Sequence, residues 1–208
     1  MQTRTDYKFM TQNYEIRIGK YLQEAWANFL KAPEVYIVVT LGLFGCNILL
    51  GYVPLFGFLG TILVGTLFAP ALLIVADKTH ERGKGDFEDL KALFDHLPQL
   101  LTLGIISGLL TMTGFLLLVL PGIYLTVSYI FANQFVLFKG MSFWPAMEKS
   151  RKLVTQSWFA VFGLCFVTFC IGFLGFLLLG VGLLVSVPVA VLMLYYGFRD
   201  IQAQVGNS

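Results

Sequence analysis

The residues of this chain that could do chemistry are few, and their spacing is wrong for catalysis. His80 and His96 stand sixteen residues apart with no cysteine partner, so they read as solvated loop residues rather than metal ligands. Asp86, Glu88 and Asp89 gather three carboxylates that could in principle hold a divalent cation. Lys84 and Lys91 beside them favour helix capping and surface ion pairs instead. Gly83-Lys84-Gly85 is too short for a phosphate-binding loop, and no strand precedes it. Cys46, Cys165 and Cys170 all fall inside apolar runs and read as small buried hydrophobes. No paired acid, base or nucleophile emerges, so the expectation is a protein that is not an enzyme and carries no cofactor or metal.

Neutral polar residues within the apolar runs are more informative. Asn47 lies well inside the first run, Ser107, Thr111 and Thr113 decorate the third, and Asn133 and Gln134 sit near the end of the fourth. An amide is costly to leave facing lipid. Such groups either join helices through hydrogen bonds or line a cavity or passive pathway. The apolar runs hold no Asp, Glu, Lys, Arg or His, which argues against an ion-coupled pump. Gly104-Ile-Ile-Ser-Gly108 is a small-xxx-small motif, and Gly172 and Gly175 offer a second close-packing face. Both suit packing within a subunit or between subunits, so a homo-oligomer is permitted without being required.

The elements that position these residues follow from composition. The chain has 208 residues, 57% hydrophobic and only 12% charged, where a soluble domain carries about 25% charged residues. Lipid must cover the difference. The polar segment 1–14 reads as a tail rather than a secretory signal, and 201–208 as a second tail. Spans of membrane length are expected over Val35–Val53, Phe56–Ala76, Gln99–Leu120, Ile123–Phe138, Phe159–Leu179 and Val181–Gly197. Pro70 should kink or locally loosen the second of these.

The link Gly51–Gly57, Leu120-Pro121-Gly122 and Gly180-Val181-Gly182 read as tight turns. Glu15–Lys31 reads as an amphipathic helix that either lies in the interface with Trp26 at headgroup depth or packs on the protein's own face. A second helix starts near an Asp86 cap, with Pro98 breaking the chain before the next span. A third starts at Ser142, with Pro145 in its first turn.

The fold expected is therefore all-α: a polytopic membrane protein of six transmembrane helices in three hairpins, each preceded by a cytoplasmic amphipathic helix. The whole of 15–200 forms one membrane domain. The charged exits Asp77, Lys139 and Asp200 are spaced 62 and 61 residues apart. That regularity reads either as three copies of one unit, over 15–77, 86–139 and 142–200, or as independent hairpins matched by bilayer thickness. All 14 Lys and Arg residues lie in the tails and polar links, and none in the three short turns. The positive-inside rule then puts both termini in the cytoplasm.

Three stretches carry a resemblance. They are Pro121-Gly-Ile-Tyr-Leu, then Met141-Ser-Phe-Trp through Ser150-Arg-Lys-Leu-Val154, then Gly180-Val-Gly-Leu-Leu-Val185 with Pro188. Together they resemble a group of uncharacterised bacterial multi-span integral membrane proteins. They are also similar to the membrane domain attached to some glycerophosphodiester phosphodiesterases, without the catalytic domain. The resemblance implies a bacterial inner-membrane location and, at most, a setting near lipid metabolism.

Two functional readings follow. One is a non-enzymatic inner-membrane protein that organises or senses the bilayer, or supports an envelope partner. In it Trp26, Trp144 and Trp158, with Lys149, Arg151 and Lys152, contact lipid headgroups. The other is an oligomeric passive channel or carrier for lipid or a small apolar solute, with Asn47, Ser107 and Thr111 facing the pathway. Membrane lipids are the expected partners in both, and nucleic acid in neither.

Overall fold

In hydrocarbon every backbone polar group must find a partner within the protein, which leaves helices or a closed barrel for apolar runs of about 20 residues. The computed structural model describes residues 14–52, 56–178 and 180–206, and among these every regular element is helical. α1 is Ile18–Phe29, α2 Pro33–Gly51 and α3 Phe56–Arg82. A 3-10 turn, Phe87–Lys91, leads into the short α4, Ala92–Asp95. Then follow α5 Leu97–Leu117, α6 Val119–Ser128, α7 Ala132–Lys139, α8 Phe143–Gln156, α9 Trp158–Leu177 and α10 Leu183–Gly206. Among the described residues six segments are long and apolar enough to cross a membrane, and the α6–α7 pair makes up one of them.

Several boundaries differ from expectation for local reasons. α3 runs past Ala76 to Arg82, and α10 runs past Gly197 to Gly206. Polar residues continue a helix readily once it leaves the apolar layer, and Arg82 in the last turn of α3 complements the helix dipole. The turn before the fourth span falls at Leu118, whose backbone is extended, and not at Pro121-Gly122. Pro121 instead sits in the first turn of α6, where its missing N–H costs nothing. Gly122 serves close approach: a Cβ on Gly114 would lie 3.1 Å from its Cα. Gly180 does make a turn, with φ +76° between α9 and α10.

The middle link forms a reciprocal cap. The amide of Glu88 donates to Oδ1 of Asp86, and the amide of Asp86 donates to Oδ2 of Asp89 at 3.0 Å. Asp89 also pairs with Arg82 at 2.9 Å and Glu88 with Lys91 at 3.1 Å, so these carboxylates have local partners. Ser142 occupies the cap position of α8, but its side chain makes no capping bond. The Phe143 amide donates instead to Oε1 of Gln99, at 3.0 Å. The cysteines are free, and Cys46 is exposed rather than buried, on a face of α2 turned away from the core.

Burial divides the spans into two sets. α3, α6–α7 and α10 bury 44%, 44% and 50% of their apolar stretches, whereas α2, α5 and α9 bury 22%, 17% and 22%. Each inner helix packs on the outer helix that precedes it: α2 on α3, α5 on α6 and α9 on α10. Large buried side chains gather toward the charged ends of the helices, among them Tyr21, Tyr36, Leu72, Phe131, Phe135 and Tyr195. Toward the uncharged ends packing loosens, and Leu116, Leu118, Leu120 and Leu178 are exposed.

A polar clasp holds the charged ends together. Asn28 of α1 donates to Tyr196 Oη at 2.7 Å and to the Ala76 carbonyl at 3.2 Å, and accepts from Tyr36 Oη at 2.9 Å. Tyr195 donates to Asp77 at 2.7 Å, and Arg199 donates to Tyr195 at 2.8 Å. Tyr21 and Lys20 both donate to Asp200, at 2.8 and 3.0 Å. Tyr14 reaches across to donate to the Leu153 carbonyl at 2.9 Å. α10 thus docks against α1.

Candidate functional site: a cavity beside an interrupted helix

A cavity of about 570 Å³ lies between α3, α5, α6–α7 and α10. On α5 its wall is Gly104, Ser107, Gly108 and Thr111, spaced i, i+3, i+4 and i+7 and hence on one helical face. Ala69 and Leu73 of α3 and Val191 and Leu194 of α10 add apolar walls. Thr126, Tyr129, Ile130, Asn133 and Gln134 face α5 from the fourth span. Met112 and Phe115 lie toward the uncharged end of α5 and are 62% and 45% exposed, so the cavity wall there meets the surrounding medium. Among the described residues that line it, none is Asp, Glu, Lys, Arg or His.

The fourth span is broken. α6 stops at Ser128 and α7 begins at Ala132, with Tyr129, Ile130 and Phe131 in turns. A break at membrane depth frees backbone groups, and it persists only where protein or a cavity receives them. Ser150 of α8 receives them here. Its Oγ donates to the Ser128 carbonyl at 2.7 Å and accepts from the Phe131 amide at 3.3 Å. Helical periodicity places it: Ala146, Met147, Ser150, Leu153 and Val154 form the buried stripe of α8. The break turns Tyr129 and Ile130 toward the cavity, one turn before Asn133 and Gln134.

Those two amides are the chemically notable groups. Gln134 is only 1% exposed, and its Oε1 has no hydrogen-bond partner among the described residues. The Oδ1 of Asn133 is likewise buried without a partner. Buried amide oxygens normally have one, and each left alone costs about 1–3 kcal/mol. Two of the neighbouring hydroxyls bond their own helices. Ser107 donates to the Gly104 carbonyl at 3.4 Å and Thr126 to the Gly122 carbonyl at 2.8 Å.

The structure therefore brings Ser107, Thr111, Asn133 and Gln134 together around one space. Asn47 lies elsewhere. Its amide donates to the Leu43 carbonyl of its own helix at 3.0 Å, a bond that needs no second helix. The glycines also separate. A Cβ on Gly104 would collide with Thr66 of α3, and one on Gly175 with Ser186 of α10, so both mediate packing within the chain. Gly108 and Gly172 have open space before them, and Gly108 faces the cavity.

Trp26 and Trp144 are 47% and 59% exposed. Trp158 is half-buried, stacked on Phe162 and Tyr124. Among the basic residues of α8, Arg151 makes two bonds to Glu148, at 2.8 and 3.0 Å, and Lys152 lies 3.4 Å from the same carboxylate. Lys149 sits over the ring of Phe135 at 5.6 Å. The bonds from Arg151 hold the Glu148 carboxyl below its usual range.

Sequence reasoning passed over Ser150, Tyr129 and Asn28. Asn28 had a readable signal, because it falls on the same stripe of α1 as Tyr21, Ala25 and Phe29. A polar residue on an apolar stripe demands buried partners. Comparison of the chain with protein-family models, with curated proteins and with solved structures finds no match.

Proposed function

We propose that this is a non-enzymatic membrane protein that holds a lipid or a small apolar solute in the cavity between α3, α5, α6–α7 and α10. The observation that carries this is a space of about 570 Å³, within the range typical of small-molecule sites, at membrane depth and beside a broken helix. On this reading the six spans form three hairpins in the bacterial inner membrane. Both termini are cytoplasmic, as the distribution of Lys and Arg favours. A setting near lipid metabolism, implied by the resemblance to phosphodiesterase membrane domains, agrees with it.

Native mass spectrometry of the chain released from gentle detergent tests the reading. The wild-type protein, as monomer or homo-oligomer, should carry a lipid-sized adduct. Gly108→Leu, which fills open space, should lose it while keeping its helicity. An adduct of unchanged occupancy in Gly108→Leu would overturn the assignment.

One observation favours a second role alongside the first. Leu22 and Trp26 of α1, with Leu30 at its C-terminal cap, form an exposed apolar stripe at i, i+4 and i+8, and Trp144 of α8 is similarly exposed. Two such helices at the charged end suit contact with the headgroup layer, through which the protein would organise or sense the bilayer.

A further inference from the structure

We infer that the cavity selects an uncharged amphiphile bearing a hydroxyl, its head against Asn133 and Gln134 and its apolar body along α5 toward Met112 and Phe115. This rests on the reading of the cavity as a solute site and adds the chemical class of the solute.

The head is set by the two amides. Gln134 is buried to within 1% and its Oε1 lacks a partner, as does the Oδ1 of Asn133. Both oxygens accept hydrogen bonds, so the ligand must donate. A hydroxyl donates and accepts at once, and satisfies either orientation of a side-chain amide. A charged head is excluded by its surroundings. No lining side chain would neutralise a phosphate, carboxylate or ammonium, and an unpaired charge in such a place is far costlier than an unpaired amide.

Depth agrees with this division. Gln134 lies five residues before the end of α7 at Lys139, about 8 Å along the helix at 1.5 Å per residue. Gly104 to Phe115 on α5 spans roughly 16 Å by the same rise. The polar end of the cavity therefore sits near the charged ends of the helices. The apolar body runs toward the loosely packed half, where Met112 and Phe115 are exposed and an acyl or isoprenoid chain can slide in sideways from lipid.

The test uses the full chain in phosphatidylcholine nanodiscs, with protein-free nanodiscs as the partition baseline. The probes are tritiated dodecanol, dodecane and dodecanoate. Dodecanol should saturate at one per chain and bind about tenfold more tightly than dodecane, the difference one satisfied buried hydrogen bond makes. Dodecanoate at neutral pH should show no saturable binding. Gln134→Leu removes the unpaired amide without leaving a void, so it should fold normally and bring dodecanol down to the affinity of dodecane. Gly108→Leu should abolish saturable binding of both.

Equal affinity of wild type for dodecanol and dodecane, or a dodecanol preference that survives in Gln134→Leu, overturns this inference alone. Saturable binding that survives in Gly108→Leu overturns both this inference and the proposed function. Amides satisfied only by water would show as no saturable binding of any probe, which also overturns the inference.

Discussion

The hydroxyl of Ser150 donates to the main-chain carbonyl of Ser128 at 2.7 Å, from 22 residues further along the chain. The same oxygen accepts from the Phe131 amide, so one side chain of α8 closes both open ends of the broken fourth span. Removing it as Ser150→Ala strands two buried backbone groups. The expected loss is about 1–3 kcal/mol, read by unfolding in mixed detergent. Ser150→Thr keeps the hydroxyl and should recover part of it. A Ser150→Ala protein as stable as wild type would mean that the break is held by packing alone.

Asn28 is the junction of the clasp. Asn28→Ala leaves the hydroxyl of Tyr36 without its acceptor and that of Tyr196 without its donor. A loss of about 1–3 kcal/mol is expected, and Tyr36→Phe, which strands only the Asn28 oxygen, should cost less. The thermal midpoints of the two variants in one detergent give the order directly.

Gly104 and Gly108 share one face of α5 but should respond oppositely. Gly104→Leu drives a side chain into Thr66 and should cost roughly 1–3 kcal/mol by overpacking. A Cβ on Gly108 meets nothing within 4 Å, so Gly108→Leu extends into the cavity and should leave stability near wild type. Parallel denaturation curves would separate packing glycine from cavity glycine.

Glu148 controls how much positive charge α8 presents. It engages both Arg151 and Lys152, whose side chains remain 39% and 49% exposed. Glu148→Gln should free both cations and strengthen cosedimentation with vesicles containing anionic lipid. The triple change of Lys149, Arg151 and Lys152 to Gln should weaken it, and added salt should shrink both effects. Acid should mimic Glu148→Gln. The carboxyl titrates below its usual range, so it stays ionised as unfolded carboxylates begin to protonate. Whatever stability the pair contributes is therefore present above the usual carboxylate range and is lost as pH falls through the depressed value. That contribution is small, because the side chains are over a third exposed.

How far the sequence could be read depended on what each feature rests on. The six apolar segments were legible because length and hydropathy alone decide them. The turn at Leu118 was hidden because Pro121 looks like a breaker, yet the first turn of a helix accepts it. The break at Tyr129–Phe131 had no signal of its own: it contains neither Gly nor Pro, and only Ser150 explains it. Asn133 and Gln134 stood out as polar residues in an apolar run. That their oxygens go unpaired depends on which side chains reach them, which spacing does not reveal. Asn47 stood out equally and proved to bond its own helix.

The docking of α10 against α1 has a consequence for the order of assembly. α1 leaves the ribosome before α10, which begins about 150 residues later. At synthesis rates of about 5–20 residues per second, that is a wait of roughly 8–30 s. Throughout it Tyr21 and Asn28 lack Asp200 and Tyr196, the partners they reach in the finished fold. The polar clasp cannot lock until α10 has arrived, so quality control has a late event to monitor: the arrival of Tyr195, Tyr196 and Asp200.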